Sequence, residues 1–124
     1  MTTIINILKN KFEKNVFLNE NLSKYSWFNL GGNAEIFFRA ENKVQLASFL
    51  KEINVLYDKI NIVGAGSNTL FRDGGVKGIT IKLSSNFSFV KLLDENTIVA
   101  GGATLDKKVS DFATENGLSG LEFL

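Results

Sequence analysis

Between residues 34 and 63 three patterns follow one another, and together they restrict the fold more than anything else in the chain. "AEIFFRA" at 34–40 is short, apolar and aromatic, and follows Gly31 and Gly32, so it reads as a strand. Asn42 with Gln45 three residues on is a capping-box pattern. Leu46, Phe49, Leu50 and Ile53 recur at i, i+3, i+4 and i+7, which predicts a helix over 43–53 with one buried face. "KINIV" at 59–63 reads as a second strand. A strand, a helix and a strand within about 30 residues make a βαβ unit with parallel strands, and here the second strand runs straight into a glycine loop.

That loop, "IVGAGSNTLFRDGGVKG" at 62–78, holds five glycines. A pyrophosphate needs several donors converging on its oxygens. Backbone N–H groups supply them where the chain comes close and bends tightly, and glycine allows both. Ser67 and Asn68 can add side-chain donors. The Rossmann fingerprint is disfavoured, because the third glycine is absent and "TLFRD" before Gly74 leaves no room for a helix. The Walker pattern fails, because no Gly-Lys-Ser/Thr follows. On pattern alone two readings stay open: a phosphate or nucleotide cradle, and a plain glycine turn. Gly74, Gly75 and Gly78 read as a turn into the next strand.

Downstream, "GITIKL" at 78–83 alternates like a strand, and "FSFVKLL" and "NTIVAGG" flank Asp94-Glu95-Asn96 as a hairpin. Thr104 is a candidate cap for a helix from 105 to about 115, and Gly117 stands where a C-cap glycine belongs. Upstream, Ile4, Ile5, Leu8 and Phe12 predict an amphipathic helix within 3–17. The order changes from βαβ to a run of strands near 84, so three segments are expected: a helical arm at 1–21, a βαβ subdomain at 22–84 and a second subdomain beginning at 85–124.

Composition excludes several chemistries. The chain has no Cys and no His, which removes thiolate nucleophiles, His-based triads and the usual zinc ligands, so no metal site is expected. Redox or group-transfer chemistry would have to be carried by a cofactor. A net charge of +1 without a basic block gives no footprint for nucleic acid or a membrane surface. No apolar run reaches the roughly 18 residues of a bilayer span, and the N-terminus lacks a secretory pattern, so a cytoplasmic protein is expected. Eleven of the fourteen aromatic residues are Phe, which favours packing over surface stacking, and Trp27 and Phe28 read as core.

"YSWFNLGGNAEIFF", "IVGAGSNTLFRDGGVKGITIKL", "IVAGGATL" and "NGLSGLEFL" occur in this order. In these segments, over about residues 22–124, the chain resembles the N-terminal part of the UDP-N-acetylenolpyruvoylglucosamine reductases. The resemblance implies an α+β fold, a truncated two-subdomain FAD-binding domain of the p-cresol methylhydroxylase and vanillyl-alcohol oxidase type, with FAD between the subdomains. It also implies a bacterial flavoenzyme of peptidoglycan synthesis that uses NADPH to reduce UDP-N-acetylenolpyruvoylglucosamine to UDP-N-acetylmuramate. By the same resemblance Gly64, Ala65, Gly66, Ser67, Asn68 and Thr69 wrap the FAD pyrophosphate, and Gly101, Gly102 and Ala103 approach the cofactor. The family's proton-donating Ser and its substrate-side Arg and Glu come from later segments without a counterpart here. No catalytic residue is therefore expected in this chain, which alone should be inactive, should retain FAD weakly or not at all, and could self-associate through its truncated face. A bulky residue at Gly66 is expected to expel FAD from a fold that survives. Arg72 beside the loop reads as a surface partner of Asp73 or another acid, with contact to a phosphate as the alternative, and Glu122 as a structural hydrogen-bonding group. The alternatives are part of another flavin oxidase of the same fold, or a non-catalytic nucleotide-binding or interaction module.

Overall fold

The computed structural model describes residues 2–26, 28–53, 60–66, 71 and 73–124. Helix α1 (Thr2–Lys11) leads into β1 (Val16–Asn21), then β2 (Asn33–Ala40), α2 (Lys43–Ile53), β3 (Ile60–Val63) and β4 (Val76–Leu83). A hairpin of β5 (Val90–Asp94) and β6 (Thr97–Ala100) follows, and then α3 (Asp106–Glu115). Strands β1 to β4 form one sheet in the order β1-β2-β4-β3. Strands β2 and β3 are parallel, as the βαβ reading requires, but β4 lies between them and pairs in parallel with both. The chain that joins β3 to β4 must therefore cross over, and the glycine loop is that crossover.

Helix α2 forms where its cap and apolar stripe place it. The Asn42 Oδ1 accepts from the Gln45 N–H at 2.8 Å, and the Gln45 Oε1 reaches back to the Glu41 N–H at 2.7 Å. Phe49 and Ile53 are fully buried on the inner face, whereas Leu50 falls at its margin. The first core cluster joins Leu8 of α1, Phe12 just past its end, Phe49 and Ile53 of α2, Ile36 and Phe38 of β2, and Ile79, Ile81 and Leu83 of β4. Its centre is aromatic: Phe38 stacks on Phe49 at 3.8 Å between centroids, and Phe12 meets both edge-on. The second cluster, on the other face of the sheet, holds Leu22, Ala34, Phe37, Val63 and Phe71.

Three sequence expectations are corrected. The helix expected within 3–17 ends at Lys11, and Val16–Asn21 pair antiparallel with β2. The competing strand wins because β2 presents an open edge, where the Arg39 N–H donates to the Asn15 carbonyl and Asn15 Nδ2 to the Arg39 carbonyl, both at 2.9 Å. Thr104 does not cap α3, which starts without a side-chain cap. Its hydroxyl instead ties the helix entry to the hairpin, accepting from the Phe89 N–H at 3.0 Å and donating to the Phe89 carbonyl at 2.8 Å. Phe28 is 53% exposed, because Asn29 adopts φ 53° in a tight turn closed by its N–H on the Ser26 carbonyl, which leaves the ring outside. Trp27 lies outside the described residues.

Elsewhere local signals hold. The hairpin turns at residues 95–96. Gly117, at φ 71°, ends α3 in a Schellman arrangement: its own N–H reaches the Thr114 carbonyl and the Leu118 N–H the Ala113 carbonyl.

Candidate functional site

Gly64 is the first residue past β3, at the carboxyl edge of the parallel strands, where open α/β sheets place their ligands. It has no room for a side chain, because a Cβ there would overlap the Gly102 carbonyl oxygen. Gly102 in turn sits against Leu83 at the end of β4, its own Cβ position 2.7 Å from the Leu83 Cδ1. The two glycine segments singled out in the sequence thus meet at the ends of β3 and β4. Two residues on, Gly66 is buried at φ +80°, and the Tyr25 carbonyl oxygen occupies the place of its missing side chain.

Below the loop runs a polar row. Strand pairing sets Arg39 and Val63 on either side of Lys82, and Phe37 and Asn61 on either side of Thr80. Lys82 and Thr80 alternate with Ile79, Ile81 and Leu83 of the first core, so they occupy the opposite face. The Lys82 Nζ donates to the Gly64 carbonyl and, at 3.0 Å, to the Leu83 carbonyl. Burial holds the Lys82 ammonium below the ordinary lysine range, and the Arg39 guanidinium adds to the effect. Thr80 is fully buried, and among the described residues its hydroxyl has no hydrogen-bond partner.

The second segment is used differently. The Gly101 N–H donates to the Phe89 carbonyl at 2.9 Å and the Ala103 N–H to the Phe87 carbonyl at 3.0 Å. Both amides serve the fold, and Ala103 packs into the first core, so Gly102 is the member that meets the loop. Ser67, Asn68, Thr69 and Arg72 lie outside the described residues. Glu122 accepts from the Gly120 N–H at 2.9 Å, a local structural bond. A groove of about 650 Å³ lies elsewhere, beside the Asp73–Gly74 turn, lined by Asn19, Glu35 and Lys77. Among the described residues there is no cluster of three or more His, Cys, Asp or Glu residues fit for a metal, and no helix is long and apolar enough to cross a membrane. Sequence reasoning missed Lys82. Its signal was a lysine set into the apolar alternation of "GITIKL".

No family model matches the chain. It is 45% identical over 115 residues to the UDP-N-acetylenolpyruvoylglucosamine reductase of Pelagibacter ubique, covering 93% of this chain and 38% of that protein. This chain is similar to the N-terminal part of UDP-N-acetylenolpyruvoylglucosamine reductase. The reductase of Rickettsia canadensis is 42% identical over 118 residues, covering 95% of this chain and 38% of that one. Among solved structures, the reductase (MurB) of Thermus caldophilus superposes with a TM-score of 0.54 at 28% identity, over 86% of this chain and 35% of its own. The mixed α and β architecture thus matches that of a MurB structure. The chain spans under two-fifths of the length of the curated reductases it matches.

Proposed function

We propose that this chain is the FAD-binding portion of an NADPH-dependent reductase of UDP-N-acetylenolpyruvoylglucosamine, acting in the cytoplasm in peptidoglycan synthesis. Residues 22–84 would form the first flavin subdomain and 85–124 the beginning of the second. The observation that carries this reading is the meeting of Gly64 and Gly102 at the carboxyl ends of β3 and β4, within a chain that matches the N-terminal part of the reductases.

The residues present fit a pyrophosphate. Gly64 and Gly66 let the loop pack tightly against the Gly102 and Tyr25 carbonyls, and the reading of a phosphate site is supported by Lys82, which sets a half-buried cation under the loop, and by Thr80, whose buried hydroxyl is unmatched among the described residues. Gly64, Ala65 and Gly66 would hold the phosphates, with Ser67, Asn68 and Thr69 continuing the loop and Gly102 closing it from the second segment. Ala103 and Gly101 would support that wall through their bonds to Phe87 and Phe89. Bound FAD supplies the hydride chemistry that a chain without Cys or His does not. This chain's own residues bind and orient; no catalytic side chain is assigned within it. The UDP-sugar and NADPH belong to the whole reductase. Self-association is proposed through exposed apolar surface that includes Leu93 and Phe123, at 67% and 80% exposure.

Titrating the purified chain with FAD and with riboflavin, followed by flavin fluorescence, tests the reading. FAD should bind only weakly, because the chain spans under two-fifths of the reductases it matches, ADP should compete, and riboflavin, which has no phosphate, should bind more weakly still. Equal binding of the two flavins, or none by FAD, would sink it. The same titration separates the interaction-module alternative, which predicts no flavin binding.

A further inference from the structure

We propose that Lys82 is a positioning residue of the glycine loop: by holding the Gly64 carbonyl toward β4, it turns the Ala65 N–H the other way, as a fixed donor to an anionic group. This rests on the reading of the loop as a pyrophosphate site. In a planar trans peptide the C=O and the N–H of the next residue point in opposite directions, so fixing one fixes the other. Among the described residues there is no cis peptide. The Lys82 Nζ bonds both the Gly64 and the Leu83 carbonyls, so it spans the ends of β3 and β4 as a clasp. The Gly102 carbonyl occupies the place of the missing Cβ of Gly64, so this residue is packed against the second segment.

Two further observations agree. Among the described residues nothing accepts from the Ala65 N–H, while the Gly101 and Ala103 amides nearby in the second segment are both engaged. The ammonium is also half buried and next to Arg39, so its charge acts on the loop with less screening than a surface lysine would. A donor directed beforehand costs no reorganisation when the anion arrives.

The test uses the full chain, labelled with ¹⁵N, as wild type, Lys82→Met and Lys82→Arg. FAD binding is followed by fluorescence, and the amides of the free protein by NMR. Lys82→Met should weaken FAD binding about tenfold or more, the scale of a hydrogen bond to a charged group. It should also move the Ala65 amide resonance without any ligand. Lys82→Arg should restore both. Should Lys82→Met fail to fold, Lys82→Leu, which also lacks a donor, replaces it under the same criteria. Unchanged FAD affinity with an unmoved Ala65 amide in a folded variant overturns the role of Lys82 but leaves the loop reading standing. A wild type that binds no FAD overturns the loop reading, and this role with it.

Discussion

A single methyl group separates the glycines of the 62–78 stretch. At Gly74 a Cβ meets nothing within 4 Å, and the backbone is not in the left-handed region. Gly74→Ala should leave stability within about 0.5 kcal/mol of wild type, or raise it by up to roughly 1 kcal/mol by restricting the unfolded chain. At Gly66 the same change combines φ +80° with overlap on the Tyr25 carbonyl, so Gly66→Ala should destabilise by more than about 1 kcal/mol. Urea unfolding of the two variants checks the contrast. The sequence reading assigned Gly66 to the ligand alone; the buried Tyr25 contact makes it a folding residue too, so Gly66→Val does not test flavin contact cleanly. Lys82 carries a pH signature. Its folded pKa lies below the ordinary 10.5, so the unfolded state binds more protons between the two values, and stability rises with pH there. The stability of wild type relative to Lys82→Met should therefore climb as pH approaches 10.5; a flat difference would mean that the ammonium is not desolvated.

Elements were legible where their signals are local. The capping box of α2, the turn at residues 95–96 and the glycine end of α3 are each built within a few residues, and each stands where the sequence reading put it. Asn42→Ala should cost about 1 kcal/mol through the lost Gln45 N–H bond. What failed was decided at a distance. Strand β1 exists because β2 offers an edge, and Thr104 serves Phe89 rather than its own helix because the hairpin folds back on it. The Phe-rich composition announced packing but not partners: Phe12 just past α1, Phe38 of β2 and Phe49 of α2 meet at one point. Phe38→Ala should therefore loosen α1, β2 and α2 together, at about 3–5 kcal/mol. Loss of the near-ultraviolet aromatic signal in step with helix content would show it; helix loss confined to α1 would not agree.

At the scale of the whole molecule, the parallel order β2-β4-β3 brings the two glycine segments to one edge of the sheet. The glycine motif was visible in the sequence. Its neighbour across space was not, because Gly102 reaches Gly64 only through the packing of Leu83 and Ala103. Exposed Leu93 and Phe123 lead to a prediction at this scale: sedimentation should show concentration-dependent self-association that Leu93→Lys with Phe123→Lys suppresses. The most direct measurement is a backbone amide NMR map of the chain titrated with FAD. The largest shifts should fall on Gly64, Ala65, Gly66 and Gly102, with little change at the hairpin turn or α1. Shifts centred instead on the groove at Asn19, Glu35 and Lys77, or no shifts at all, would contradict a pyrophosphate site in the glycine loop.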